Sequence, residues 1–219
     1  QWLIATAKAT DKIFVYNAVT GDSIRSVGGS GTQAGQLARP NGIAVTDDLV
    51  WVVERDNHRV QVFTLPEFKP VGTFGDSLLK KPYGLYVHKK DAGQYTVFVT
   101  DDYDLPEGQP IDPQLLKNRV HKYSVTLSEN RLDWQLEIMF GDTGAGQLKV
   151  VESIFGDPEN NILFIAEEDK TNTHIKVYDF AGNYTGKSIG EGLFKSQVEG
   201  ISLYQTSDGN GYWIVTDQS

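Results

Sequence analysis

The chain contains no cysteine, which excludes a disulfide framework, thiolate zinc sites and thiol nucleophiles. No apolar run approaches the ~20 residues of a membrane-spanning helix, so a helical membrane protein is excluded and no membrane partner is expected. Positive charge is scarce: 20 Lys and Arg face 29 Asp and Glu, a formal charge of −9. That balance argues against nucleic acid as a partner, because non-specific binding there depends on Lys and Arg meeting phosphates. If such a chain handles polyanions, positive charge must come from elsewhere, and a metal ion is the obvious source. Neither a nucleophile elbow nor a Ser-His-Asp order stands out.

What is present points to strands. Ten Tyr, ten Phe and four Trp accompany many Val, Ile and Thr, and 22 Gly mark frequent turns. With 39% hydrophobic and 22% charged residues over 219 positions, the composition is that of a globular protein, expected to be monomeric. A basic–β-branched–x–x–aromatic pattern recurs at Lys12 to Tyr16, Arg59 to Phe63, Arg119 to Tyr123 and, with His at its head, His174 to Tyr178. Before each lies an apolar strand, at Trp2 to Ala7, Val50 to Glu54, Tyr95 to Thr100 and Ile162 to Ala166. After each, a turn leads to a strand closing on Gly28, Gly75, Gly141 or Gly190. A further short strand opens the unit at Asn41, Tyr83, Glu152 and Glu199.

Four strand types in fixed order, in units of ~40–50 residues, are the arithmetic of a β-propeller blade. The expected fold is therefore all-β: one propeller domain over 1–219, with antiparallel four-stranded blades at about 1–38, 39–80, 81–149, 150–196 and 197–219. The first and last units are short of strands, which suggests an arc of a larger ring. A Pro- and Asp-rich stretch from Asp101 to Asn118 reads as a surface insertion. Trp51, Phe98, Phe164 and Trp213 are expected to pack between blades. Two glycine-rich stretches, Gly28 to Gly31 and Gly141 to Gly146, read as inter-blade loops, because neither runs into a helix. His121 and His174 fall in the repeated strand and are expected at the surface.

In a propeller the innermost strands line a channel, and residues at their starts and at the ends of the next strands form its mouth. Those positions hold Asn41, Tyr83, Glu152 and Glu199, and Glu54-Arg55-Asp56, Asp101-Asp102, Glu167-Glu168-Asp169 and Asp217. A ring of hard carboxylate oxygens suits calcium, which takes six to eight of them in flexible geometry. Glu152 and Glu199 open apolar strands, where a charge needs a partner.

These same residues resemble a family. Val151 to Ile154 with Asn161 to Asp169, which includes Ile165-Ala166-Glu167-Glu168-Asp169, is similar to the corresponding segment of the β-propeller phytases, six-bladed calcium-dependent phosphatases. Lys81 to Leu85, Val198 to Tyr204, Gly209 to Tyr212 and Trp2 to Lys8 match as well. The resemblance implies Ca²⁺ held by Glu152, Glu167, Glu168 and Glu199, with Tyr83 and Glu168 as catalytic residues. It also implies a secreted or periplasmic location. Three departures stand beside it. Asn41 to Thr46 lacks the Asp and Arg of the family motif, Asp101-Asp102 follows Val99-Thr100 where the family carries a phosphate-binding Lys, and the early Asp-Asp-Pro motif is missing. Ala38 to Phe63 resembles instead an NHL-type repeat, a scaffold often used for binding.

The leading expectation is a calcium-dependent phosphomonoesterase acting on inositol phosphates or related phosphate esters. Metal held by the glutamates neutralises phosphate oxygens and acidifies a water that attacks phosphorus directly. Lys8, Arg55 and Arg59 are the candidate phosphate contacts. The rival expectation is a non-catalytic, NHL-like binding propeller with a metal-binding acidic mouth. A propeller esterase or lactonase with a single divalent metal is a third.

Overall fold

Val50 to Val53 are all fully buried, so this short run packs on both of its faces, and the arrangement of sheets explains why. The structure, a computed structural model, describes residues 1–106, 110–129, 131–169, 173–207 and 210–218. Residues 107–109 of the insertion and Gly209 of the matched tail lie outside the described residues.

Five antiparallel sheets follow one another along the chain. The first holds β1 (Trp2–Ala7), β2 (Lys12–Asn17) and β3 (Ser23–Gly28), and the second β4 (Pro40–Thr46), β5 (Leu49–Glu54), β6 (Arg59–Thr64) and β7 (Pro70–Phe74). The third holds β8 (Pro82–Asp91), β9 (Gln94–Asp101), β10 (Val120–Ser128) and β11 (Arg131–Phe140). The fourth holds β12 (Val151–Asp157), β13 (Ile162–Glu167), β14 (His174–Asp179) and β15 (Tyr184–Ile189), and the fifth β16 (Gln197–Gln205) and β17 (Gly211–Gln218). The helix α1 (Pro113–Leu116) lies in the insertion between β9 and β10. The glycine-rich loops join the first sheet to the second and the third to the fourth.

The core is a series of layers between successive sheets. Ile13 and Val15 meet Val50, Val52 and Phe63 between the first two sheets. Trp51 and Val53 point the other way, toward Leu85, Val97 and Tyr123 of the third. Phe98 and Val120 face Leu163, Ile165 and Tyr178 of the fourth, whose Phe164 and Val177 meet Val198 of the fifth. Alternate residues of one strand thus serve two neighbouring layers. The second-strand aromatics lie in these layers: Trp51 meets Tyr95 edge-on at 5.0 Å, and Phe164 lies 4.3 Å from Trp213 between ring centres. The same layering corrects the expectation for two histidines. His121 and His174 are buried, since the strands that carry them are covered on both faces.

One irregularity recurs at the start of β4, β8, β12 and β16. The pairs Pro40 with Glu54, Pro82 with Asp101, Val151 with Glu167 and Val198 with Asp217 are each followed by a shift in register. The bulged residues are Asn41-Gly42, Tyr83-Gly84, Glu152-Ser153 and Glu199-Gly200. A bulge turns its side chain out of the regular pleat, here at the four positions where polar residues open apolar strands. Neighbouring strands also come close at this point. A Cβ on Gly42 would lie 2.7 Å from the Tyr83 carbonyl oxygen, and one on Gly84 2.5 Å from that of Glu152. Only glycine allows that approach.

Candidate metal centre

The four strands β4, β8, β12 and β16 surround one elongated cavity, lined by Gly42 to Thr46, Gly84 to Val87, Ser153 to Phe155 and Gly200-Ile201. At its mouth, two kinds of position supply side chains. The first is the bulge residue, Asn41, Tyr83, Glu152 or Glu199. The second follows the residue that pairs just ahead of each bulge: Arg55, Asp102, Glu168 and Gln218, with Lys8, one past β1, in the corresponding place on the first sheet.

The residue that pairs just ahead of each bulge has a different task. Glu54 accepts from the amide of Ala38, Asp101 from Lys80 and Lys81, and Asp217 from Lys195 and Ser196. Glu167 accepts from the amides of Lys149 at 2.5 Å, Val150 at 3.0 Å and Asp169 at 2.9 Å. Each carboxylate ties down the chain just before the first strand of its own sheet. This corrects the assignment of Glu167 as a metal ligand: it is fully buried, and backbone amides occupy its oxygens. Successive residues of an extended chain point to opposite sides, so the neighbouring Glu168 faces the mouth.

Glu152, Glu168 and Glu199 converge there, each offering a carboxylate oxygen within 4.8 Å of the others. Glu168 is 3% exposed, and its Oε1, like Glu152 Oε2, is buried with no hydrogen-bond partner. Both amide atoms of Asn41, itself 6% exposed, are also buried and without a partner. Buried polar atoms left unpaired are costly, so four of them at one mouth describe a place prepared for something else. Burial, then the Glu152 and Glu199 charges, push the Glu168 carboxyl up to about 9. Burial and Glu199 push Glu152 up to about 7. Groups that resist ionisation together are what a cation would relieve. The donor set, carboxylates without sulfur or imidazole, fits a hard ion such as Ca²⁺ or Mg²⁺.

A line of polar side chains leads into this cluster. Lys8 Nζ donates to the Tyr83 hydroxyl at 2.7 Å, Tyr83 lies beside Glu152, and Glu152 beside Glu168, each close enough to shift the ionisation of the next. Gln197 Nε2 donates to Glu168 Oε2 at 3.1 Å. Burial and the surrounding glutamates hold the Tyr83 phenol far above its usual value, so it remains a donor.

The proposed phosphate contacts divide. Lys8 reaches the cluster. Arg55 occupies an equivalent rim position, with Nη1 3.5 Å from Asp56. Arg59 does not face the mouth: its Nε donates to Glu54 at 2.6 Å and its Nη1 to the Thr32 carbonyl at 2.9 Å, so it is spent inside the second sheet. Asp102, already placed at the mouth by the sequence, and Arg119, which the sequence did not place there, also shape the site. Asp102 Oδ1 accepts from Arg119 Nη2 at 2.8 Å and from the Val151 amide at 3.1 Å. Burial pushes Asp102 up to about 6 in spite of Arg119. Arg119 is wholly buried and also donates to the carbonyls of Leu148, Tyr103 and Lys149.

Residues 37–63 match the NHL repeat. No curated protein matches the chain in sequence. Among solved structures, the chain is similar to one in the nidogen/laminin complex, with a TM-score of 0.53 and 18% identity, covering 83% of this chain and 58% of that one. It is also similar to the hydrazine synthase of Kuenenia stuttgartiensis, with a TM-score of 0.56 and 12% identity, covering 95% and 50%. The fold is a β-propeller. The five sheets are its blades, and the cavity along β4, β8, β12 and β16 is its channel. The chain spans about half the length of these structures. At such identities the likeness concerns the propeller alone.

Proposed function

We propose that the chain is a calcium-dependent phosphomonoesterase of phytase-like type, acting on inositol phosphates or related phosphate esters at the channel mouth. The observation that carries this reading is the convergence of Glu152, Glu168 and Glu199, with buried oxygens lacking protein partners, beside the Lys8–Tyr83 pair. Bound calcium supplies charge neutralisation of phosphoryl oxygens and acidification of water. Glu152, Glu168 and Glu199 are the residues that hold it. Tyr83, donating toward Glu152, fixes that carboxylate's orientation, as outer partners of metal ligands commonly do. Gln197 does the same for Glu168 and leaves Oε1 toward the mouth. Lys8 offers the cation nearest to an incoming phosphate.

A second reading is favoured by a separate observation. Arg59 is consumed within its blade and Asp102 adds a carboxylate to the mouth, which suits a non-catalytic binding propeller with a basic partner. Phosphate release separates the two. The expected result is release from phytate or 4-nitrophenyl phosphate that requires Ca²⁺ and is lost with chelator and in Glu168→Ala. Calcium binding without release from either ester overturns the enzyme and leaves the binding propeller.

A further inference from the structure

Beside the carboxylate cluster, a pocket of about 610 Å³ opens between the start of the third-blade insertion and the entry to β12. Leu105, Pro106 and Ile111 form one wall, and Lys149, Val150 and Asp169 the other. Asp102 lies where pocket and mouth join: it lines the pocket, and its charge acts on both Glu152 and Glu168.

The pocket is built into the fold. Arg119 binds the Tyr103 carbonyl at 2.7 Å on the insertion side and the Leu148 and Lys149 carbonyls at 3.1 and 2.8 Å on the other. Its guanidinium also stacks over the Tyr103 ring at 4.5 Å. One buried side chain therefore holds both walls at a fixed distance, and no closing motion is needed to form the cavity. Tyr103 adds a hydrogen bond from its hydroxyl to the Leu115 carbonyl, which anchors α1 beneath the insertion.

Its lining says what it takes. Among the described residues that line it, Lys149 is the one cation, and its Nζ lies 4.0 Å from Asp169. The nearby Lys81 is paired with Asp104. Asp102, Asp104 and Asp169 are met by Arg119, Lys81 and Lys149 in turn, so the positive charge beside the apolar wall is already engaged by carboxylates. A second phosphate placed there would have to compete with these carboxylates for their cations, whereas an apolar surface would meet Leu105, Pro106 and Ile111.

We propose that this pocket is the leaving-group subsite of the mouth, receiving the alcohol part of a phosphate monoester that has an apolar face and carries no second phosphate. The assignment rests on the phosphomonoesterase reading and narrows it from polyphosphorylated inositols to singly phosphorylated esters.

The test is calorimetric titration of the full chain, at saturating Ca²⁺, with methylphosphonate, phenylphosphonate and 1,4-phenylenebisphosphonate. Phenylphosphonate is expected to bind about tenfold or more tighter than methylphosphonate, since the ring leaves water. The bisphosphonate is expected to bind more weakly than phenylphosphonate. Ile111→Asp and, independently, Leu105→Asp are expected to remove the preference for the ring while leaving methylphosphonate affinity unchanged. A bisphosphonate that binds as tightly as phenylphosphonate, absence of phenylphosphonate binding, or a ring preference untouched in both variants overturns the subsite. Titration of the unmutated chain with and without Ca²⁺ separates the two levels. A ring preference that is the same in chelator upholds the pocket and overturns the metal reading beneath it.

Discussion

Lys8 and Tyr83, 75 positions apart and on the first and third blades, are joined by a 2.7 Å hydrogen bond from the ammonium to the phenol oxygen. The ammonium also lies 4.5 Å from the centre of the same ring. Because Lys8 fills an acceptor site of the hydroxyl, the phenol proton is left for Glu152. A cation at the rim is thereby linked through one side chain to the carboxylate cluster. Tyr83→Phe removes the donor without changing the ring. Calcium affinity, measured by titration calorimetry, is expected to fall about 10–100-fold, the usual cost of losing an outer partner of a metal ligand. Unchanged affinity would show that Glu152 needs no such support.

The cluster also sets how stability depends on pH. Glu152, Glu168 and Asp102 are held up at about 7, about 9 and about 6, each first by burial. Their folded values exceed those of the unfolded chain, so the folded state binds more protons across the interval between. The stability they contribute is complete below about pH 4 and is lost as pH rises toward about 9. In chelator the melting temperature is expected to decline from pH 5 to pH 9. Added Ca²⁺ is expected to raise it, by at least about 2 °C at pH 8 and by less at pH 5, where metal must displace protons. A calcium effect larger at pH 5 than at pH 8 would contradict the assignment.

Adjacent glutamates should behave in opposite ways. Glu167 accepts three backbone amides in full burial, so Glu167→Ala leaves those donors unsatisfied and is expected to cost about 3 kcal/mol or more. Glu168→Gln replaces a carboxyl that is already held neutral with its near-isostere. Denaturation in chelator at pH 8 is expected to show no loss of stability for Glu168→Gln, while stabilisation by calcium disappears. Metal binding retained in Glu168→Gln would move the centre elsewhere.

Strand order was legible because each blade repeats the same four patterns, with β-branched runs and glycine turns marking the elements. The mouth residues could be found by the same repetition, since Tyr83, Glu152 and Glu199 hold one position in three successive blades. Telling Glu167 from Glu168 required the strand's alternation to be followed one residue past its end. Both are acidic, and the sequence alone grouped them. Arg119 was hidden for another reason. It heads the same repeated strand as Arg59 and Lys12, and nothing in that pattern marks it as the residue that reaches across to Leu148 and Lys149. His121 and His174 were misplaced because a polar residue in a strand reads as exposed, whereas propeller strands are covered on both faces.

Arg59 carries the last prediction, because the residue that looked like a phosphate contact is part of a buried charge network. Glu54, with a fully buried side chain, accepts from Arg59 Nε at 2.6 Å, Asn57 Nδ2 at 2.6 Å and Gln61 Nε2 at 2.9 Å. The guanidinium reaches on to the Thr32 and Gln36 carbonyls and so pins the loop between the first two blades. Removing the cation from a buried carboxylate typically costs about 3–5 kcal/mol, and Arg59→Ala is expected to lie in that range by denaturant unfolding. Arg59→Lys retains the charge but lacks the planar fork, and should recover only part of the loss. Neither variant is expected to change calcium affinity or the KM for a phosphate ester by more than about twofold, since independent sites contribute separately. A raised KM in Arg59→Lys at undiminished stability would return Arg59 to the substrate.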